Sequence, residues 1–327
     1  MTRHPDGPQL VHLGTAVVDV VVRTPRLPEP GGAVIAQGAN VYPGGAVRVM
    51  GAATRQGLPV TYAGMHGTGQ YAEMVHAALR DEGITVTQPP VPEIDSGVLV
   101  TFLEPDGRRT YVSLPGAEAR LTHSALVRVH PRPGDLVLVT GHTFAHSLNR
   151  AALSAWLPQL DPRVVVVLDP GPLAHLLPDG ALDAALDRAD WVTAGLGGAR
   201  VLTGEDEADA AALALARRSG RSGVLVRRGV AGCVLVEAGA DPVTVPSAHV
   251  TVVDWNGADA AHTGTFLAEL TSGSAPAAAA ERANYAAALC ATRPGPESAP
   301  TRRELDQYCS SPEPATTPAR AEVRARR

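Results

Sequence analysis

The chain has 327 residues and a mass of 33.8 kDa, with 45% hydrophobic, 19% charged and 4% aromatic residues beside 33 Gly and 28 Pro. That composition excludes disorder throughout and suits a large α/β unit of aliphatic layers joined by tight turns. A net charge of −5 and a pI near 6.1 offer no field for a nucleic-acid backbone, and all 28 basic residues are Arg, which excludes P-loop and Schiff-base lysine chemistry.

Met1 to Gln9 lacks the charged-then-apolar layout of a signal peptide and reads as a flexible start. No apolar stretch reaches the roughly 18 to 20 residues that cross a bilayer. Cys233, Cys290 and Cys309 form no CxxC and are odd in number, the pattern of structural or incidental thiols in a reducing compartment. The expectation is a cytoplasmic protein with a small-molecule ligand and neither nucleic acid nor membrane as partner.

Leu10 to Val22 reads as a first strand, broken by the Pro- and Gly-rich segment 25–32. Helical spacing from Gly45 to Gly57 is followed by a strand at Val60 to Ala63 and an amphipathic helix from Tyr71 to Glu82. Gly97 to Glu104 and Arg109 to Leu114 flank the turn Pro105-Asp106-Gly107 as a β-hairpin. The short apolar runs Leu136 to Thr140, Val164 to Leu168, Trp191 to Thr193 and Gly223 to Val226 alternate with helical stretches such as Asn149 to Leu157 and Ala208 to Arg218. This alternation predicts a doubly wound parallel sheet, with the hairpin in a separate small sheet. Helices follow at Ala258 to Leu270 and Pro276 to Ala291, and the Ser-, Pro- and Arg-rich segment 304–327 reads as a disordered tail.

Six ordered segments carry a resemblance. They are Gly14-Thr15-Ala16-Val17-Val18-Asp19, Pro43-Gly44-Gly45-Ala46-Val47-Arg48 running on to Gly57, Ser113-Leu114-Pro115-Gly116-Ala117, Asp169-Pro170-Gly171-Pro172, Gly229-Val230-Ala231-Gly232, and Asp254-Trp255-Asn256-Gly257-Ala258-Asp259-Ala260. In this order they resemble the PfkB/ribokinase family of sugar and nucleoside kinases over about residues 10 to 305. The resemblance implies a ribokinase-like three-layer domain over 10–303 with a β lid drawn from parts of about 15–42 and 95–115. It also implies substrate contacts at Asp19, Gly44, Gly45 and Arg48, and an anion or nucleotide loop at Asn256, Gly257, Ala258, Ala260, Gly229 and Gly232.

A glycine-rich turn opening a helix aims backbone N–H groups and the positive helix end at one spot, which suits a phosphate. A carboxylate beside it would take the proton of an attacking hydroxyl. The family pattern Gly-Ala-Gly-Asp supplies both, whereas this chain has Gly257-Ala258-Asp259-Ala260. Ala260 cannot accept a proton, Asp259 puts a negative side chain in a glycine's place, and Trp255 adds bulk where a small Thr is usual. The family's sugar-binding Asn corresponds to Arg48 or Val49. Its magnesium-organising Asn-x-x-Glu corresponds to Gly195-Leu196-Gly197-Gly198.

Other polar residues have two readings each. Arg48 clamps a ligand anion or pairs with a local acid such as Asp19. His142 and His146 are spaced i,i+4 without a third ligand, so no metal site is assigned, although His142 follows a strand end that lines the cleft. His262 is a substitute acid or base, or a packed residue where the family has Phe. Asp169 is a ligand contact at a strand end or part of an Asp-Pro-Gly turn.

Three functions follow. The first is a catalytically degenerate kinase homologue that binds a sugar- or nucleoside-like, neutral or anionic ligand, as a binding protein or in a different reaction. The second is an active kinase with Asp259 as displaced base, with ATP and Mg²⁺ as its cofactors. The third is a structural protein that forms a homodimer through its lid edge.

Overall fold

The computed structural model describes residues 7–295 and 298–310. In chain order the strands are β1 (Leu10–His12), β2 (Ala16–Arg23), β3 (Gly38–Gly45), β4 (Val60–Tyr62), β5 (Thr85–Val86), β6 (Val98–Leu103), β7 (Arg109–Leu114), β8 (Leu136–Thr140), β9 (Val165–Asp169), β10 (Trp191–Gly195), β11 (Gly223–Arg227), β12 (Cys233–Glu237) and β13 (Val243–Val245). The helices are α1 (Ala46–Arg55), α2 (Gln70–Asp81), α3 (His123–Leu126), α4 (Gly141–Ala145), α5 (Ser147–Trp156), α6 (Asp183–Arg188), α7 (Leu196–Thr203), α8 (Ala208–Arg218), α9 (Ala258–Thr271), α10 (Pro276–Ala291) and α11 (Arg302–Ser310).

The large sheet has nine strands in the order β13-β12-β11-β10-β9-β8-β1-β4-β5. It is parallel from β5 through β11, and β12 and β13 extend it antiparallel. Successive strand residues point to opposite faces, so Val137, Val139, Val166 and Leu168 pack with Leu153 of α5 and Leu215 of α8. Leu136, Leu138, Val167 and Leu225 pack on the other face with Met50 of α1, Val75 of α2 and Phe266 of α9. This is the expected three-layer α/β/α unit. The unassigned strands β12 and β13 follow the hairpin turn at Gly229–Gly232, closed by Arg228 N–H donating to the Gly232 carbonyl at 2.7 Å.

The predicted first strand divides in two. His12 folds back so that Gly14 N–H donates to its Nδ1 at 2.7 Å, and a Cβ at Gly14 would lie 2.2 Å from that ring. The chain therefore leaves the large sheet after β1 and enters the lid as β2. The lid is a four-stranded sheet, β3-β2-β6-β7, so it includes residues through Gly45. One buried carboxylate holds both roots of its hairpin: Glu118 accepts from Gly97 N–H and from Gly116 N–H, each at 2.8 Å.

Residues 1–6 of the expected flexible start lie outside the described residues. Gln9 is pinned, its N–H and side-chain amide both donating to Asp135 at 3.1 Å. Residues 304–310 belong to α11 instead of a disordered tail, because Thr301 and Glu304 form a capping box: Thr301 N–H donates to Glu304 Oε2 at 2.7 Å and Glu304 N–H to Thr301 Oγ1 at 3.3 Å. Leu305 is fully buried, and Arg282–Asp306 and Arg302–Glu269 ion pairs at 2.6 and 3.1 Å dock the helix. The rest of the expected tail, 311–327, lies outside the described residues. No described helix is long and apolar enough to cross a membrane.

Candidate functional site

The carboxyl ends of β8 to β11, the N-terminus of α9, α1 and the lid converge on one cleft, the position where open α/β sheets bind ligands. On its lid flank Asp19 lies on β2 opposite Tyr42 of β3. Its carboxylate sits over Gly44, where a Cβ would come within 2.6 Å of Cγ, so no larger residue fits there. Gly45 has φ +57 and a Cβ there would lie 2.2 Å from the Thr15 carbonyl, so the backbone at the start of α1 requires glycine at this second position. Arg48, one turn into α1, donates through Nη2 to Asp19 Oδ2 and through Nη1 to Asn256 Oδ1 at 2.9 Å. Burial pushes the Asp19 carboxyl above its ordinary value, and the Arg48 cation opposes that shift. Asp19 Oδ1 and Arg48 Nε are buried without hydrogen-bond partners.

The anion flank is built around a residue the sequence reading passed over. Arg227, the last residue of β11, is 7% exposed. Its guanidinium donates to Thr193 Oγ1 at 2.6 Å, Thr263 Oγ1 at 3.1 Å and Asp169 Oδ2 at 3.1 Å, and its Nε lies 3.2 Å from Asp259 Oδ1. Asp259 occupies the first turn of α9, and its side chain is 84% exposed. Gly257 starts that helix with φ +92, and no side chain caps it, so the backbone N–H groups of the turn face the cleft without a side-chain acceptor.

A family model described as pfkB family carbohydrate kinase matches residues 8–302. The chain belongs to that family. Among its pfkB relatives is the Escherichia coli K12 protein called uncharacterized sugar kinase YegV, 29% identical over 297 residues that cover 90% of this chain and 91% of that protein. The ribokinase of Bacillus subtilis strain 168 is 26% identical over 306 residues, 91% and 98% of the two chains. The ribokinase of Cryptococcus neoformans, solved in complex with ADP, superposes with a TM-score of 0.80 at 21% identity, covering 93% of this chain and all of that one. Adenosine kinase from Sinorhizobium meliloti gives a TM-score of 0.80 at 18% identity, covering 93% and 99%. At those identities the superpositions establish the ribokinase-like fold.

The pfkB fold brings Asp19, Gly44 and Arg48 together, and Asn256, which the sequence assigns to the anion loop, joins them through Arg48. Arg48 pairs with Asp19. Gly229 and Gly232 form the β11–β12 turn, where a Cβ at Gly232 would lie 2.1 Å from the Val245 carbonyl and one at Gly229 would meet nothing within 4 Å. Asp169 forms the turn, accepting from Gly171 N–H at 2.9 Å, and its other oxygen accepts from Arg227 at 3.1 Å. His262 is corrected. It is 3% exposed between α9 and α10, its Nε2 lies 3.2 Å from Asn284 Oδ1, and burial followed by the Arg227 charge lowers its pKa to about 3. It is a neutral packed residue without access to a ligand. His142 stands against the turn after β9, and burial lowers its pKa while Asp169 and Asp19 oppose that shift. Among the described residues no three His, Cys, Asp or Glu side chains assemble into a metal site.

Arg227 had a signal in the sequence: a charged residue directly after the apolar run Gly223 to Val226, at the ligand-binding edge of a parallel sheet. Arg109 had none. It reaches Asp254 only because the lid folds over, placing Nη2 at 3.3 Å from Oδ1.

Proposed function

We propose that this pfkB-family chain binds a small sugar- or nucleoside-like polyol, neutral or anionic, and has lost ATP-dependent phosphoryl transfer, acting as a binding protein or in a different reaction. The observation that carries this reading is the placement of Asp259. Its carboxylate is largely in solvent and its cation partner is Arg227, while Ala260 follows it without a proton acceptor. A general base has to come within hydrogen-bond reach of the hydroxyl proton; Ala260 has no acceptor to offer, and the Asp259 carboxylate is directed to Arg227 and solvent.

The residues present do not fit Mg²⁺–ATP. The open N–H groups of α9 suit a phosphate, but the acidic residue of that turn is Asp259, directed to Arg227 and solvent, and the residue after it is Ala260. The first turn of α7, at Leu196-Gly197-Gly198, contains no acidic residue to organise a metal. On the lid flank, by contrast, Asp19 Oδ1 keeps an acceptor that a ligand hydroxyl would satisfy.

Calorimetric titration with a panel of pentoses, hexoses, their acids and nucleosides tests the binding half of the reading. At least one compound is expected to bind, and Asp19→Asn is expected to weaken it at least tenfold, since a charged acceptor is lost. Failure of the whole panel to bind would overturn the reading. A second reading, assembly through the lid, is favoured by edge strand β7, where Tyr111, Val112 and Leu114 are 49, 49 and 52% exposed. Sedimentation equilibrium would show a dimer that Val112→Lys dissociates, and a concentration-independent monomer would remove this reading.

A further inference from the structure

The two flanks are connected by a continuous polar chain. Arg109 on lid strand β7 meets Asp254 Oδ1 at 3.3 Å, and that oxygen also accepts from Asn256 N–H at 2.9 Å. Asn256 Oδ1 accepts from Arg48 at 2.9 Å, and Arg48 closes the circuit on Asp19 of lid strand β2. Asp254 Oδ2 is fixed to Gly295 N–H at 3.2 Å, beyond the end of α10. The lid is thus held to the loop before α9 at two separate points, by arginines from two different elements.

We propose that Arg48 and Arg109 form a two-point strap that keeps the lid on the 254–257 loop, and that a ligand reaches Asp19 by taking over the Arg48 contact. The unpartnered Asp19 Oδ1 and Arg48 Nε show that this pair leaves hydrogen-bonding capacity unused. A vicinal diol supplies the matching O–H donor and oxygen acceptor, so a ligand with that group exchanges one set of buried contacts for a fuller one. The apparent affinity for any ligand is then lowered by the fraction of chains whose strap is open. Arg48 and Arg109 are positioning residues in this scheme. They set where the lid and the loop stand before a ligand arrives.

The test needs no ligand, so its outcome is independent of the proposed binding function. Trp255 sits inside the strapped loop and is 49% exposed, whereas Trp156 and Trp191 are buried at 5 and 7%. Its fluorescence quenching by acrylamide therefore reports this loop. Amide exchange over 254–257 is expected to quicken about two- to fivefold in Arg109→Gln, whose ion pair is partly exposed, and by about tenfold or more in Arg48→Gln, whose contact is more buried. Trp255 quenching should rise in both variants. Arg109→Lys should restore most of the protection, and raising salt to 0.5 M should loosen the native chain in the same direction as Arg109→Gln. If Arg48→Gln unfolds the protein, Arg109→Gln and Asp254→Asn, judged against unchanged exchange in β8 to β11, still decide the matter. Loop exchange and quenching equal to the native chain in these two variants would overturn the strap.

Discussion

The lid flank and the anion flank of the cleft both join an arginine to aspartates, but with different consequences. Arg48 bridges Asp19 and Asn256 and leaves Asp19 Oδ1 and its own Nε unpartnered. Arg227 is enclosed by two threonine hydroxyls and two carboxylates, all from the ends of the sheet and the first turns of α9. The first arrangement keeps capacity for a ligand. The second makes three hydrogen bonds within the protein, leaves Nε to its 3.2 Å ion pair with Asp259, and functions as a structural tie across β9, β10, β11 and α9. The difference teaches that two arginine–aspartate clusters at one sheet edge can differ in kind, the lid cluster keeping an unpartnered oxygen on its carboxylate and the β11 cluster enclosing its arginine with the protein's own acceptors.

Substitution of Arg227 probes that difference most strongly. Arg227→Met should cost about 3 kcal/mol in denaturant unfolding, because Asp169 and the two threonines lose a buried partner. Asp259 is the test of direction. If Arg227 is a structural tie centred on Asp169, removing the exposed partner is cheap, and an Arg227→Met cost as small as that of Asp259→Ala would break the comparison.

An effect of comparable size is expected from pH. His262, beneath the anion flank, has a folded-state pKa of about 3 against an ordinary 6.5. The stability it contributes by staying neutral is complete above pH 6.5 and is lost as pH falls from there towards 3, at about 1.4 kcal/mol per pH unit. His12, buried with a pKa also near 3, adds a second such slope in the same window. His262→Phe should remove one of the two, and an unchanged dependence of unfolding free energy on pH between 6.5 and 4 would show that His262 is not held neutral. The smallest effect is that of Asp259→Ala, within about 0.5 kcal/mol, since the exposed end of an ion pair is screened by water.

Much of the scaffold was legible because its signals are local. Parallel strands such as Leu136–Thr140 are continuous apolar runs, and α8 and α10 have the boundaries that their periodicity predicts. The lid flank was legible through its motif resemblance, Gly44 being kept small by the Asp19 carboxylate and Gly45 by the Thr15 carbonyl. What escaped depends on contacts between distant residues. The division of the first strand turns on the His12 ring folding onto Gly14, and the burial of His262 turns on α10 packing against α9. The capping box Thr301-Arg302-Arg303-Glu304 was a local signal, obscured by the polar composition around it.

The central claim is that no residue of this cleft takes the proton of an acceptor hydroxyl for transfer from ATP. Coupled detection of ADP release, with Mg²⁺–ATP and the sugar and nucleoside panel, measures this directly in the native chain and in Asp259→Ala. The account predicts no panel-dependent ADP release in either protein, with binding of a panel compound retained. Panel-dependent release in the native chain that Asp259→Ala abolishes would contradict it and establish Asp259 as the base.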